Sequence, residues 1–314
     1  MVFELSLNFL LSSMSLCLLA CLLARPQDLK TTQAQTTKHP LNHRPQSQAN
    51  KTPPVYDLPR TRYGGMQHIT YLETNHNQLW DDTLMMTVLP LAKIGLVLNR
   101  PHYVEEAKRQ FLLHIKYLSD PTTGLWFHGW TFENSDSAGE GGGKGKVGHN
   151  FARARWARGN SWITIAIPEF LSLLDLSSCP LPPNDPIRTH LLSTLTAQCL
   201  ALTQHQDAPT GLWRTLLDVD DSYLESSATA GFAYGMLLAL RKRYLVGPEY
   251  EEVAVRAIKA VLGQIDEQGE LRNTSFGTGM GGTLQFYKDI KRTSMPYGQA
   301  MAIMALGEFL RKYI

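Results

Sequence analysis

Asp120-Pro-Thr-Thr-Gly-Leu-Trp126 and Asp207-Ala-Pro-Thr-Gly-Leu-Trp213 are nearly the same phrase, and weaker echoes stand at Gly65-Met-Gln-His68 and Gly269-Glu-Leu-Arg272. Taking Gly65, Gly124, Gly211 and Gly269 as landmarks gives steps of 59, 87 and 58 residues, and the long step contains the glycine-rich insertion Ser135 to Gly148. A unit of this length, built as helix, turn, helix and glycine loop, buries its apolar faces only by packing on its neighbours. Helical periodicity is clear at Leu84, Val88, Leu91, Gly95 and Leu98, and recurs over roughly 101–118, 156–176, 187–205, 223–244, 249–264 and 296–313. No alternating strand pattern competes with it. The expectation is an all-α body over residues 56–314, a solenoid or closed toroid of helical hairpins.

Residues 1–55 read differently. Leu5 to Ala24 are mostly apolar, and a polar tract rich in Thr, Gln, His, Asn and Pro follows from Lys30 to Thr52. The apolar run resembles a secretory signal core, although Glu4 stands where a positive flank is usual; an amphipathic or buried helix is the alternative. The polar tract is expected to be a disordered linker. The location therefore stays open between cytoplasm and export, and no stable membrane association is expected beyond such a signal. Asn50-Lys-Thr52 and Asn273-Thr-Ser275 fit the short N-glycosylation pattern.

Thirty Lys plus Arg against 28 Asp plus Glu leave a net charge of +2, which excludes the footprint of a general nucleic-acid binder. Any anionic ligand must be met locally. Cys17, Cys21, Cys179 and Cys199 form neither a zinc pattern nor a disulfide scaffold, and leave Cys179 and Cys199 as a bridge or as two buried thiols. Asp81-Asp82 lacks a third carboxylate at useful spacing for a Mg²⁺ diphosphate site, so no metal and no cofactor are expected.

The chemistry-bearing residues are concentrated. The chain reads Gln78-Leu-Trp-Asp-Asp-Thr83, then His128-Gly-Trp130, then Trp156-Ala-Arg-Gly-Asn-Ser-Trp162. Indoles stack on the apolar faces of a pyranose, a guanidinium can hold a carboxylate in a two-pronged hydrogen bond, and carboxylates and imidazoles move protons. Loops recurring at one phase of a repeat gather at one end of the ring, which should bring Trp80, Asp82, His128, Trp130, Arg158 and Trp162 together.

Residues 58–314 resemble the glycoside hydrolase family 105 unsaturated rhamnogalacturonyl hydrolases. Four stretches carry the likeness: Gly64-Gly-Met-Gln-His68 with Gln78 to Met86, Gly124 to Trp130, Trp156 to Trp162, and Tyr223-Leu-Glu-Ser-Ser-Ala-Thr-Ala230. The resemblance implies an (α/α)6 barrel of six helical hairpins. It also implies a reaction unlike the two-carboxylate displacement of ordinary glycosidases. The C4=C5 vinyl ether of a 4,5-unsaturated uronic acid is protonated, water adds at C5, and the hemiketal collapses to release the neighbouring rhamnose. The implied partner is an unsaturated oligosaccharide derived from pectin.

Carried over by position, Asp82 falls on the aspartate of the Trp-x-Asp-Thr-Leu phrase and His128 on the histidine of Gly-Leu-x-x-His-x-Trp. Arg158 and Trp162 fall on Trp-x-Arg-Gly-x-x-Trp, where an anion contact and sugar stacking are expected. Between those last two phrases, where the resemblance implies a Trp-Ala-Asp aspartate, stand Glu133, Asp136, Glu140 and His149. His149, just ahead of the Trp156 helix, is expected to share proton transfer with Asp82. Trp80, His128, Trp130, Arg158 and Trp162 are the expected substrate contacts. Seven helices from Trp80 onward, against twelve in a closed barrel, lead us to expect a ring incomplete at its N-terminal side, with apolar faces left open. Two other readings are a non-catalytic or degenerate carbohydrate-binding toroid, and an (α/α)-barrel enzyme of another kind, such as a sugar epimerase or a hydrolase of other unsaturated uronides.

Overall fold

The structure, a computed structural model, describes residues 58–70, 74–132, 148–177 and 180–314. The expectations for residues 1–55, for Cys179 and for Glu133, Asp136 and Glu140 lie outside the described residues. Cys199 is a buried thiol on its helix.

A π-helical turn, Leu84–Val88, runs into α1 (Leu89–Val97). It is followed by α2 (Pro101–Leu118), α3 (Ala157–Asp175), α4 (Pro186–His205), α5 (Ser226–Arg241), α6 (Pro248–Leu262), α7 (Leu284–Lys288) and α8 (Pro296–Tyr313). The helices pair as α1 with α2, α3 with α4 and α5 with α6, while α8 packs on α5. Neighbours along the arc are α1, α3, α5 and α8, and α2, α4 and α6 back them from outside. Among the described residues, no helix is long and apolar enough to cross a membrane.

Composition decides which helix goes where. In α2 only one stripe is buried, through Tyr103, Val104, Ala107, Phe111 and Leu118, and α6 repeats this with Tyr250, Val253, Ala257 and Val261. Such amphipathic helices belong on the outside. Helices α3 and α5 are buried on nearly every side, which fits an inner position. Small residues let these two approach. A Cβ built on Gly235 would lie too close to the Thr164 carbonyl, and one on Gly231 would strike Ser161.

The repeated phrase becomes a repeated turn. Asp120 N–H donates to Leu125 O and Gly124 N–H to Asp120 O; Asp207, Leu212 and Gly211 make the same pair of bonds. Gly124, Gly211 and Gly269 all sit in the left-handed region, at φ +77°, +74° and +81°, which a side chain resists. In the first echo the left-handed position is Gly64, at φ +82°, one residue before the landmark glycine.

The helical body follows the expectation, and the ranges differ by a few residues at their ends. Periodicity does not reveal three two-stranded antiparallel ribbons: β1 (Gln78–Trp80) with β2 (Gly129–Thr131), β3 (Trp213–Arg214) with β4 (Leu224–Glu225), and β5 (Thr274–Ser275) with β6 (Arg292–Thr293). Strands of two or three residues are too short to show alternation, and α7, at five residues, is too short to show a helical period. Each ribbon lies ahead of an inner helix: β1 leads into α1, β4 into α5, and β6 precedes α8. The ribbons therefore collect at the N-terminal ends of the inner helices.

Candidate active site

The β1–β2 ribbon aligns Trp80 with Gly129, and the ladder continues as the Asp81 N–H donates to His128 O at 3.0 Å. The next residue, Asp82, sits where the ribbon turns into the helix, and its Oδ2 lies 3.3 Å from Nε2 of His128. His128 is closed in by aromatic rings. Trp156 lies 4.3 Å away between centroids, Trp80 meets it edge-on at 5.3 Å, and Tyr287 is at 5.6 Å. The Tyr287 hydroxyl is 2.8 Å from His128 Nδ1. On the far side of Trp80, the ring of His68 stacks at 4.6 Å, with its Nδ1 3.1 Å from Thr83 Oγ1.

Two neighbouring carboxyls behave oppositely. Burial works to raise Asp82, but the close approach and charge of His128, the charge of His68 and the contact with Asp81 outweigh it and hold the carboxyl well below the usual range. Asp81 is wholly buried, and burial followed by the charge of Asp82 drives its carboxyl well above that range. Burial also lowers His68, against the opposing charge of Asp82. Asp82, with 14% of its side chain exposed, and His68 are the members of this group that reach solvent, while Asp81 and His128 are sealed. Ligand-type atoms of Asp81, Asp82 and His128 all lie within 4.8 Å of one another. That spacing suits a cation or a shared proton, and the sealed position of Asp81 favours the proton.

Arg158 begins α3 beside this cluster. Its guanidinium donates to Ser275 O at 2.7 Å, Ser275 Oγ, Phe276 O at 3.1 Å and Thr278 Oγ1 at 2.9 Å. It lies over the Trp156 and Tyr297 rings and 3.9 Å from buried Glu225. Glu225 in turn accepts from Ala228 N, Ser227 Oγ and Ser275 N, fixing the start of α5. Arg158 thus ties the segment after β5 to α3, and its Nη donors are spent on the protein rather than on the anion contact expected from the sequence.

The remaining expected residues divide. Trp80 is buried and donates its Nε1 to Gln78 at 2.8 Å. Trp130 is partly exposed and packs with Tyr117 and Phe132. Trp162 lies in the core with 2% exposure, so no ring face is offered to a sugar there. His149 is exposed and bridges Thr131, and its Nδ1 accepts from Phe151 N at 3.0 Å. Thr131 is three residues along the ribbon from His128, on the order of 10 Å. The structure therefore brings Asp82, His128 and Trp80 together, with Arg158 adjoining through Trp156. His149 stands exposed beside Thr131, on the order of 10 Å along the ribbon from His128, and is not brought into that group.

Sequence reasoning passed over four members of the cluster. His68 and Trp156 stood inside phrases already singled out, and Asp81 adjoined Asp82. Tyr287 carried no signal, because its helix is short and distant in the chain.

Residues 31–313 match the Glycosyl Hydrolase Family 88 model. The chain is 29% identical over 260 residues to the unsaturated rhamnogalacturonyl hydrolase YesR of Bacillus subtilis, covering 82% of this chain and 67% of that protein. A solved structure from Salmonella enterica serovar Paratyphi A, described as a possible member of the GH105 family, is 58% identical with a TM-score of 0.75 and covers 83% of this chain. The chain spans 64% of that protein's length. The unsaturated glucuronyl hydrolase of Bacillus sp. GL1, at 18% identity, shares the fold with a TM-score of 0.56 over 79% of this chain and 63% of its own.

Proposed function

Because the chain belongs to glycosyl hydrolase family 88, we propose that it releases a 4,5-unsaturated galacturonyl residue from rhamnogalacturonan oligosaccharides by hydrating the vinyl ether. The observation that carries this reading is the Asp82–His128 pair: a partly exposed carboxyl held against a buried imidazole and framed by indoles. Vinyl ether hydration needs one group that gives a proton to C4 and then takes one from the water attacking C5. In this reading Asp82 does both. His128 steadies the carboxylate that forms between the two steps, and Trp130 offers the partly exposed ring for stacking on the sugar. Arg158 acts as a positioning residue, holding the 275–278 segment and Trp156 beside the pair.

The name of the Bacillus subtilis relative supports galacturonyl-rhamnose as the substrate. Purified protein incubated with that unsaturated disaccharide is expected to abolish the ultraviolet absorbance of the conjugated double bond and release rhamnose. Unchanged absorbance with this substrate would remove the reading. A parallel panel of unsaturated glucuronyl disaccharides tests whether a different uronide is preferred.

A further inference from the structure

We propose that Asp81 and Asp82 form a dyad sharing a single proton, which Asp81 stores as un-ionised acid and Asp82 delivers to substrate. The inference rests on the reaction proposed above, and it answers a difficulty in it. Acid catalysis needs a proton at neutral pH, yet Asp82 faces His128 Nε2 and the ring of His68, a setting that favours its ionised form.

Asp81 lies in the opposite setting. Its exposure is zero, and among the described residues no N–H or O–H meets either carboxyl oxygen in hydrogen-bond geometry. The backbone N–H groups of residues 81 and 82 approach without closing a good bond. The groups facing it are Asp82 from its own segment, His128 from the end of β2, Tyr287 from α7 and the bare Cα of Gly159 from α3. Arg158, the nearest cation along α3, is turned to Ser275, Phe276, Thr278 and Glu225 and does not neutralise it. A carboxyl buried without cation or donor keeps its proton, because the charged form loses its hydration and gains nothing in return. Two carboxyls this close ionise as a unit and hold one proton between them.

The step balances. The Asp81 O–H bond breaks as its proton passes to Asp82, and Asp82 gives a proton to C4, where the electron pair of the C4=C5 bond forms the new C–H bond. C5 becomes an oxocarbenium centre, water adds there, and the proton lost by that water returns to the dyad. The pair again holds one proton. Asp81 touches no substrate and is a positioning residue that acts through Asp82.

The test uses the full chain. Infrared spectra at neutral pH are expected to show the C=O stretch of an un-ionised carboxyl in the wild type and to lose it in Asp81→Asn. Thermal melting supplies an independent arm. A carboxyl whose folded-state affinity for the proton is raised costs stability as pH rises above its unfolded value of about 4. Asp81→Asn should therefore melt higher than wild type, by a margin that grows with pH and vanishes in acid. In the activity arm, Asp81→Asn should lower kcat about tenfold or more at neutral pH and move the optimum toward acid. If that variant does not accumulate, Asp81→Leu carries the same expectations. A wild type with no such band, or a variant with unchanged kcat and pH profile, overturns the dyad. The infrared and melting arms need no substrate. Failure of the wild type to act on any unsaturated uronide would therefore sink the proposed function without deciding where the proton lies.

Discussion

The Tyr287 hydroxyl lies 2.8 Å from Nδ1 of His128, and it also accepts from Gly281 N at 3.2 Å. Burial pushes this phenol well above its ordinary value, so it keeps its hydrogen at working pH and can donate it. If the hydroxyl donates to Nδ1, the neutral imidazole carries its hydrogen on Nε2, the nitrogen that faces Asp82. Tyr287→Phe should release that tautomer and cost about 1–2 kcal/mol in kcat/KM, roughly tenfold. Nitrogen-15 NMR of the His128 ring checks it: an unchanged tautomer would separate Tyr287 from any positioning role.

Gly159 is tested by its lack of a side chain. A Cβ built there would lie 2.5 Å from Oδ1 of Asp81 and closer still to Oδ2. Gly159→Ala is expected to displace the carboxyl, destabilise the fold by about 1–3 kcal/mol and lower kcat more than KM rises. Denaturant titration and steady-state kinetics measure the two effects.

Asp82→Asn keeps the side chain's shape and removes its proton chemistry. Activity should fall on the order of 10²- to 10⁴-fold, with circular dichroism unchanged. A variant retaining most of the wild-type rate would move the acid–base role elsewhere, and His149→Ala, expected to be nearly neutral because His149 is exposed at the rim, is the matching control.

Arg158→Lys replaces a planar fork with a point charge. Four hydrogen bonds to the 275–278 segment depend on that fork. The loss is expected to be about 2–3 kcal/mol, with faster hydrogen exchange in residues 275–278 than elsewhere. Uniform exchange across the chain would show that Arg158 does not hold that segment.

The helical frame was legible because its signal is long. Leu84 to Leu98 and its successors repeat at helical spacing, and the phrase shared by Asp120 and Asp207 reports a turn whose left-handed position favours glycine. The site was legible in part. Asp82 and His128 lie in phrases dense with indoles, carboxylates and imidazoles, whereas Tyr287 reaches His128 across 159 residues of chain, a distance no local pattern encodes. His149 is not brought to Asp82, because nearness in sequence to Trp156 does not fix register: its bridge to Thr131 carries it along the ribbon, away from His128. Trp162 is buried because a helix position one turn beyond Arg158 points into the core.

The Asp120 turn links the repeat to acid stability. Burial would raise this carboxyl, but bonds from Thr122 and from Arg155, the latter at 2.5 Å, hold it well below the ordinary range. A lowered carboxyl stabilises the fold above its unfolded value of about 4 and loses that contribution as pH falls toward its folded value. Wild type should therefore melt higher than Asp120→Asn at neutral pH, and the gap should close in acid. A gap of constant size across that range would mean that the carboxylate charge contributes nothing.

Collecting the ribbons at one end of the arc means that the π-turn leading into α1 starts there, as do α3, α5 and α8. Outside α5, whose first turn is capped by Glu225, each of these starts carries a partial positive charge from its aligned peptide dipoles. A protein with a net charge of only +2 can thereby offer an acidic sugar an attractive field made from peptide dipoles rather than from lysines. Such a field is short-ranged, so salt should weaken capture of the uronide less than it would weaken capture by an exposed cationic patch.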